Sequence, residues 1–474
     1  MAGCELAGWG NNGASWGELV IAGERGLPAA ILGAGERGVI MRGLGRSYGD
    51  PAQNSGGRTV RLQSDPASIT IDSMIDSVND TNEQATVTCG AGVSVDELLN
   101  VIVPQGYFVP VTAGTRFITI GGAIASDIHG KNHHQDGSFG NHVRDIELML
   151  ADGSIVHVGP DEQPGNDHEL FWATVGGMGL TGAMVAATFS VIPIESSLMS
   201  VETRRIDDLD ELMARMAASD DDVRYSVAWI DLLAKGSKLG RGVLTNGEHA
   251  GADQLTSKHA SRPLAYSEKV LATLPPLVPS PGVINRLSVA AFNEMWFRKA
   301  PRERHDELQT IAAYFHPLDM VGRWNRVYGR HGLLQYQFVV PYGAEDTLRR
   351  VMERINSAAL PSFLTVLKRF GPGNAAPLSF PTAGWTLAID VPAAHPQLPA
   401  VLVQLDSMVL EAGGRHYLAK DFHTNPEAIR RGYPRLAEWQ AVQRRVDPFH
   451  RWASDQSRRL ELVGSNPNAQ LENR

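Results

Sequence analysis

The chain has 474 residues, of which 43% are hydrophobic and 20% charged, and its formal net charge is −9. This is the composition of a globular protein with room for two hydrophobic cores. The acidic balance without a Lys or Arg run argues against nucleic acid as a partner, because neutralising phosphates needs concentrated positive charge.

The cysteines and the apolar runs narrow the class further. Cys4 and Cys89 lie far apart, so neither a disulfide framework nor a cysteine-ligated zinc site is predicted. There is no run of 18 apolar residues, and residues 1–17 lack the pattern of a secretory signal. We therefore expect a soluble or peripheral protein.

The first motif in chain order is Gly33–Gly38 (GAGERG), which fits the spacing GxGxxG. A dinucleotide fingerprint must open a helix whose N-terminus receives the pyrophosphate. Here the strand-like Val39–Met41 follows instead. We interpret the motif as a turn between a helix and a strand rather than as a nicotinamide site.

A second glycine-rich stretch, Arg42–Asp50 (RGLGRSYGD), comes directly after that strand. Its glycines and Ser47, with no helix behind them, favour a loop whose backbone N–H groups wrap an anionic phosphate. An ordinary turn is an equally open interpretation of this stretch alone, since glycine-rich loops are common.

The next elements are short and locally paired. Ala85–Cys89 predicts a strand, and Ser94–Val103 predicts a helix that begins with a capping serine. Val143–Leu150 and Ile155–Val158, joined by the turn at Asp152-Gly153, predict a hairpin. This pattern is typical of an α+β fold.

Two more glycine-polar blocks lie at residues 114–132 and 176–182. The end of the first block and the ten residues after it carry side chains with metal-ligand chemistry, which are His129, His133, His134, His142, Asp127 and Asp136. On an extended segment, adjacent His133 and His134 would point in opposite directions, so we predict no metal site.

Glycine density drops near Pro193, where we place a domain boundary. Beyond it we predict a helix at Leu209–Ala218 and strands at Gln335–Val340 and Thr386–Val391. Gln335 and Gln337 share one face of their strand, which suits the hydroxyls of a sugar, although a solvent-facing strand would look identical.

Two segments of the second half are harder to place. Val270–Phe292 is apolar but broken by prolines, which predicts a loop with an apolar face and no regular helix. Such a loop either closes over a site or rests on a bilayer, or it is a mobile or oligomer-contact loop. Residues 413–474 contain a helical stretch, Pro434–Arg445, and fit either core.

Taken together, the glycine blocks resemble those of the vanillyl-alcohol-oxidase superfamily of FAD enzymes. More closely, the chain resembles the decaprenylphosphoryl-β-D-ribose 2′-oxidase flavoproteins from about Arg42 to Leu462, through the motifs RGLGRSYGD, GGAIASDIHGKNHH, SFGNHVR, FWATVGG, GLTG, FHPLDM, LLQYQF and FGPGNAAPLSFP. The resemblance implies an α+β, two-domain fold of the PCMH type. Its FAD-binding domain would comprise residues 1–195 plus 413–474, and its antiparallel-sheet substrate domain residues 196–412.

The resemblance also implies which residues bind FAD: Arg42, Gly43, Leu44, Gly45, Arg46, Ser47, Tyr48, Gly49, Asp50, Gly114, Thr119, Ile120, Gly121, Gly122, Ser126, His129, Asn132, Met184 and Tyr417. Covalent members of the superfamily have a histidine where this chain has Arg46, or a cysteine where it has Ala125 and Ser126. Neither nucleophile is present, so we predict non-covalent FAD.

For chemistry, the resemblance points to Lys420, His129 and Tyr48. A cation at Lys420 would steady the reduced flavin and lower the pKa of the substrate hydroxyl. The substrate pocket is expected to contain Lys131, Trp229, Gln335, Gln337, Lys368 and Phe370. Some family members carry a cysteine near the flavin where this chain has Ala388.

The implied reaction is FAD-dependent oxidation of the ribose 2′-hydroxyl of decaprenylphosphoryl-β-D-ribose, the first half of an epimerisation that provides the arabinose donor for cell-wall arabinan. An NADH-dependent short-chain reductase partner, a peripheral membrane contact and a place in the cell envelope are expected with it, with a cytoplasmic place as the alternative. Two other functions stay open, a related FAD oxidase of a soluble aldonolactone or alditol and a nucleotide-binding scaffold without activity.

Overall fold

The computed structural model describes residues 3–72, 84–161, 167–276 and 282–464. Its α-helices are Leu27–Leu32, Val95–Ile102, Ile120–Ala125, His133–Asp136, His168–Thr174, Leu209–Ser219, Ser257–Ala260, Arg286–Lys299, Ile311–Phe315, Glu345–Ser357, Leu398–Glu411, Pro426–Gly432, Leu436–Val446 and Asp455–Arg459. None of the helices in these ranges is long and apolar enough to cross a membrane.

A four-stranded sheet begins the chain, with the strands in the spatial order Cys4–Ala7, Ala14–Ala22, Arg58–Leu62 and Val39–Met41. Arg58–Leu62 lies between the two earlier strands and pairs with both in parallel. The expectation of purely local pairing is therefore wrong here. The helix Leu27–Leu32 and the turn after it separate the strands, as the interpretation of Gly33–Gly38 required.

A five-stranded antiparallel sheet follows, in the order Thr70–Asp72, Thr86–Gly90, Ala183–Ser190, Val143–Met149 and Ile155–Val158. It contains the predicted strand and the predicted hairpin. The helix Val95–Ile102 has the expected start, because Ser94 accepts from the Glu97 N–H and Glu97 accepts from the Ser94 N–H.

The second half of the chain forms an eight-stranded antiparallel sheet, in the order Glu303–Thr310, Leu198–Ile206, Gly242–His249, Tyr225–Ile230, Thr365–Phe370, Gly384–Pro392, Leu333–Pro341 and Arg415–His416. Its outer face is apolar and packs under the helices Leu209–Ser219, Glu345–Ser357 and Leu398–Glu411. The other face carries the polar alternation that the sequence shows at Gln335 and Gln337.

Two short pairs complete the strands. Ile192–Pro193 pairs with Tyr107–Phe108, and Ala272–Thr273 pairs in parallel with Val321–Gly322. The prediction of a loop without a regular helix at Val270–Phe292 is wrong at its end, because Asn285 caps a helix that begins at Arg286. The four prolines precede that cap, so they do not interrupt it. Residues 277–281 of this segment lie outside the described residues.

The C-terminal segment returns to the first half of the chain. Trp439, Leu460 and Leu462 are fully buried in a cluster with Ile40 and Leu180. Backbone bonds join the strand at Val39 to the C-terminal segment on both sides, with Val39 N–H donating to Arg451 and Ala453 N–H donating to Val39. These contacts join the later part of the C-terminal segment to the first half of the chain, whereas its strand Arg415–His416 pairs in the eight-stranded sheet, so the domain limits stay a prediction.

Candidate active site

A groove lies between the loop Arg42–Asp50, the helix Ile120–Ala125 and the glycine turn at residues 176–182. Its lining residues are Met41, Arg42, Gly43, Ser47, Pro51, Ala52, Leu62, Ala91, Gly92, Thr119, Gly121, Gly122, Ala125, Ser126, Met178, Gly179, Gly182 and Met184. The three glycine blocks, remote in sequence, therefore meet at one place.

The loop is built to present backbone. Gly45 has φ +67°, which glycine adopts without strain. A Cβ on Gly43 would lie 2.5 Å from Thr119 Oγ1, so no larger residue fits where the loop meets the second block. Among the described residues, the backbone N–H groups from Gly43 to Ser47 donate to no protein acceptor. Such a row of free donors is suited to phosphate oxygens.

The charged side chains of this loop turn into the protein. Arg42 donates to the carbonyl oxygens of Ala7 (2.6 Å) and Ala52 (2.9 Å). The Arg46 guanidinium stacks 3.9 Å above the Trp9 ring. These side chains brace the loop, which leaves its backbone to face a ligand.

Asp50, at the end of the loop, is held by the C-terminal helix. Arg459 donates to both Asp50 oxygens, at 2.7 and 3.0 Å, and to Asp421 at 2.9 Å. Asp421 follows Lys420 directly in sequence. One arginine therefore joins the loop of the groove to the segment that carries Lys420.

The predicted cofactor residues of the second block divide into two groups. Thr119, Gly121, Gly122 and Ser126 line the groove. By contrast, Ile120 is buried in the apolar core, Asn132 donates to the Pro110 carbonyl (2.8 Å), and Gly114 is exposed. The other predicted cofactor residues that do not line this groove are Leu44, Gly45, Arg46, Tyr48, Gly49, Asp50, His129 and Tyr417.

His129 lies at the centre of the polar face. Its Nδ1 is 3.0 Å from Lys368 Nζ and its Nε2 is 3.0 Å from the Gln337 amide. The Phe370 ring meets it edge-on at 4.7 Å. Burial, reinforced by the charge of Lys368, holds the pKa of His129 well below its usual value, so the ring is neutral.

The other histidines considered as metal ligands do not converge on one point: His134 and His142 contact different carbonyls, and neither ring nitrogen of the buried His133 has a hydrogen-bond partner among the described residues. His133 and His134 lie in a short helix, not on an extended segment, so the reason given for their opposite directions is wrong. His134 contacts the Val223 carbonyl at 2.8 Å and His142 the Asp136 carbonyl at 2.9 Å. The buried Asp127 accepts from Ser138, Ser379, Asn374 and the Gly140 N–H, which makes it a scaffold for the block.

Strand register shows how the substrate face is assembled. Gln335 pairs with Asp390 and Gln337 with Ala388, while Lys368 pairs with Thr386. Since alternate residues share a face, these side chains form a polar patch opposite the apolar helix-covered side. Trp229, on the next strand, donates from Nε1 to the Phe363 carbonyl at 2.8 Å.

Three lysines gather around this face. Lys131 Nζ donates to the Tyr314 carbonyl (2.6 Å) and lies 3.7 Å from the Tyr314 ring centroid. Burial, together with the charge of Lys368, lowers the pKa of Lys131 to about 7. Burial, together with the charge of Lys420, likewise lowers the pKa of Lys368 to about 7. An anion placed among them would relieve this repulsion.

Lys420 and Tyr48 meet directly, since Lys420 Nζ lies 4.0 Å from the Tyr48 ring centroid. Tyr417, three residues earlier, donates to the Ser126 carbonyl at 2.8 Å and so ties this segment to the groove. Burial lowers the pKa of Lys420 toward neutrality, and Asp390 opposes that shift.

Asp390 is a site residue that the sequence reasoning missed. It is fully buried, accepts a hydrogen bond from Gln335 Nε2, and its Oδ2 has no partner. Burial raises the pKa of its carboxyl toward neutrality. The signal was present as a lone carboxylate in the apolar run GWTLAIDVP, in alternation with Ala388 and Thr386.

The groove fits the FAD that the glycine blocks predict. Its free N–H donors suit the diphosphate, and its small lining residues leave space for a flat ring near Ser126, whose carbonyl accepts from Tyr417. The lining contains Ala125 and Ser126, and it contains neither cysteine nor histidine. The residues present therefore suit a cofactor held without a covalent bond.

Comparison with known proteins agrees with this geometry. The chain matches a family described as an FAD binding domain over residues 22–159, and a family described as D-arabinono-1,4-lactone oxidase over residues 338–460. It is 44% identical over 466 residues to the decaprenylphosphoryl-β-D-ribose oxidase of Mycolicibacterium smegmatis, with 97% of each chain covered.

More distant relatives share only part of the chain. An alditol oxidase from Streptomyces is 28% identical over 35% of this chain and 36% of its own length. A D-lactate dehydrogenase from Archaeoglobus fulgidus is 31% identical over 22% of this chain and 24% of its own.

Proposed function

Because the chain belongs to the decaprenylphosphoryl-β-D-ribose oxidase family, we propose that its glycine-lined groove and the polar sheet face beside it form one oxidase active site. The protein is an FAD-dependent oxidoreductase that converts the ribose 2′-hydroxyl of decaprenylphosphoryl-β-D-ribose to the 2′-keto intermediate. This is the first half of the epimerisation that yields the arabinose donor for cell-wall arabinan. The full-length likeness to the mycobacterial oxidase is the observation that carries the assignment.

FAD, when bound, supplies the acceptor for the hydrogen and electron pair that leave C2′. The loop Arg42–Asp50 would hold the diphosphate through its free backbone N–H groups, and the block at residues 119–126 would line the space for the ring. Lys420, partly exposed beside Tyr48, provides a cation next to the reacting hydroxyl. His129, held neutral between Lys368 and Gln337, orients the sugar by hydrogen bonding rather than by charge.

The substrate assignment follows the chemistry of the polar face. Gln335 and Gln337 offer amides to the ribose hydroxyls, and Trp229 and Phe370 offer apolar sides to the ring. Lys131 and Lys368 receive the phosphodiester, whose single negative charge raises the pKa of both amines and favours their charged forms. A soluble polyol has no charge with which to engage these two lysines.

Two further partners follow from the nature of the substrate and product. The ketone must be reduced to complete the epimerisation, so an NADH-dependent short-chain reductase consumes it. The polyprenyl tail requires access to lipid. Leu271 and Leu287 are 77% and 83% exposed, and Arg286 precedes Leu287 directly in sequence, which suits a peripheral contact with an anionic bilayer of the cell envelope.

Anaerobic bleaching of the flavin tests the function. We expect the yellow holoenzyme to lose its flavin absorbance on addition of a polyprenyl-phosphoryl ribose, and to keep it with an alditol or an aldonolactone at the same concentration. The match of residues 338–460 to an aldonolactone oxidase family favours those sugars as the second candidates. Bleaching by the soluble sugar alone would assign the enzyme to them.

A further inference from the structure

A chain of hydrogen bonds crosses the polar sheet face from a buried threonine to a lysine. Thr386 Oγ1 lies 2.9 Å from the Phe338 carbonyl oxygen and 3.3 Å from Gln337 Nε2. The same Gln337 Nε2 lies 3.0 Å from His129 Nε2, and His129 Nδ1 lies 3.0 Å from Lys368 Nζ. A neutral imidazole donates through one ring nitrogen and accepts through the other, so each bond restricts the next.

The direction of these bonds is set at Thr386. A carbonyl oxygen only accepts, so the Thr386 hydroxyl donates its one hydrogen to Phe338. The hydroxyl is then an acceptor for Gln337, which requires the amide nitrogen, and not the amide oxygen, to face it. The second hydrogen of that nitrogen is donated to His129 Nε2, which therefore carries no hydrogen.

The His129 ring is neutral, so its one hydrogen lies on Nδ1, which faces Lys368 Nζ. An ammonium has three donors and no acceptor, so only the uncharged amine of Lys368 accepts this hydrogen. The lowered pKa of Lys368, about 7 through burial and the charge of Lys420, agrees with an uncharged amine. The Gly130 carbonyl, which accepts from Lys368 at 3.4 Å, lies on the same side of the ring and also favours a hydrogen on Nδ1.

We infer that Thr386 is a positioning residue that acts through Gln337 to hold the His129 ring in its Nδ1–H form, with Lys368 uncharged in the resting enzyme. The hydroxyl of Thr386 performs this role by choosing which end of the Gln337 amide faces the ring. A side chain of the same size without a hydroxyl leaves that choice open.

The arrival of an anion then requires a defined proton movement, and this step rests on the proposed function. When a phosphodiester approaches Lys368, His129 Nδ1 passes its proton to Lys368 Nζ while His129 Nε2 takes a proton from water. The ring stays neutral, and the pair gains one positive charge. Because Nε2 then donates, the Gln337 amide must turn its oxygen toward the ring. Thr386 opposes that turn, which reserves the charge on Lys368 for the bound anion.

The ring form is measured by ¹⁵N NMR of the FAD-bound enzyme labelled on histidine, without substrate, at about pH 8, above the pKa of Lys368. We expect a protonated-type shift for His129 Nδ1 and an unprotonated-type shift for Nε2, and loss of both signals in His129→Gln assigns them. In Thr386→Val the two shifts should converge, because Gln337 is free to present either end. Thr386→Ser restores the hydroxyl and should restore the separation.

Thr365→Val is the matched control. Thr365 is another buried threonine of the same sheet, and its Oγ1 lies 2.9 Å from Ser362 Oγ. This variant should leave both His129 shifts unchanged. A protonated-type shift at Nε2 in the wild type, or an unchanged Nδ1–H form in Thr386→Val, would overturn the inference.

Neutron diffraction decides the question where Thr386→Val does not retain flavin. In crystals of the deuterated wild-type holoenzyme we expect one deuterium on His129 Nδ1, none on Nε2 and two on Lys368 Nζ. A deuterium on Nε2, or three on Nζ, contradicts the inference. Neither measurement uses a sugar, so both decide the role of Thr386 even where the polyprenyl-phosphoryl ribose fails to bleach the flavin.

Discussion

At the scale of single residues, the main feature of the substrate face is a group of three neighbouring lysines. Lys131, Lys368 and Lys420 crowd one crevice, and the pKa of each is lowered, first by burial and for Lys131 and Lys368 also by a neighbouring lysine. The face is thus poised to gain protons when an anion enters. A phosphodiester substrate supplies the charge that this arrangement lacks.

Ala388 provides a direct probe of that face. It is partly exposed and lies opposite Gln337 and beside Val366 in the sheet register. We expect Ala388→Cys to be alkylated by iodoacetamide, and the polyprenyl-phosphoryl ribose to protect it. Intact mass with peptide mapping measures this, because Cys4 is partly exposed and reacts independently of the substrate while Cys89 is buried.

If the substrate does not reduce the labelling of residue 388, the sugar binds elsewhere. The wild-type chain has no thiol at this position, so inhibitors that capture a cysteine there are expected to form no adduct with it.

At the scale of elements, the segment His416–His423, which carries Lys420, is fixed at both ends by one carboxylate. Asp406 Oδ1, on the helix Leu398–Glu411, lies 3.1 Å from His416 Nε2 and 3.2 Å from His423 Nε2. Burial alone would raise the pKa of Asp406, but hydrogen bonds from both histidines hold it well below its usual value. Tyr336 donates to the same oxygen.

Asp406→Asn should destabilise the fold by about 3 kcal/mol, because the buried His416 and the partly buried His423 lose a charged partner. Burial lowers the pKa of His423, yet Asp406 and Asp421 raise it overall. The stability that His423 contributes is therefore complete below about pH 6.5 and is lost as pH rises through its folded-state pKa.

Thermal unfolding against pH measures this effect. The difference in Tm between wild type and Asp406→Asn should be largest near pH 5, above the Asp406 pKa and below that of His423, and should shrink in alkaline buffer. A difference that grows with pH would contradict the charged state assigned to His423.

At the scale of the whole molecule, the exposed apolar residues Leu271 and Leu287 lie on the segment that the sequence marked as apolar. Leu271→Glu with Leu287→Glu should lower sedimentation with vesicles of mixed anionic and zwitterionic lipid at least tenfold, because two apolar contacts become repulsive charges. The matched control is Val403→Glu, since Val403 is also an exposed apolar residue, with 70% of its surface exposed. Equal losses in both variants would show a nonspecific charge effect.

Much of this architecture was predictable, because it depends on local signals. The capped helix at Val95–Ile102, the hairpin at residues 143–158 and the strands that bear Gln335 and Thr386 all follow from capping, turns and alternation. The insertion of Arg58–Leu62 between two earlier strands was not, since parallel pairing leaves no short-range signal.

The candidate site, like the fold, was predictable only in part. Glycine blocks predicted the groove, because a close backbone approach excludes larger residues at positions such as Gly43. Asp390 and Asp406 escaped notice, because their roles arise from partners that are distant in sequence. The side chain of Asn132 donates to the Pro110 carbonyl and does not line the groove. A sequence motif does not show in which direction a side chain points.

Arg459 gives the protein a particular order of assembly. Its partner Asp50 is 409 residues earlier, so a ribosome exposes the phosphate loop long before the arginine that braces it. A nascent chain that stops short of Arg459 carries the glycine blocks but lacks this contact, so we expect it to capture no flavin. Messages cut short before that codon would yield colourless polypeptides.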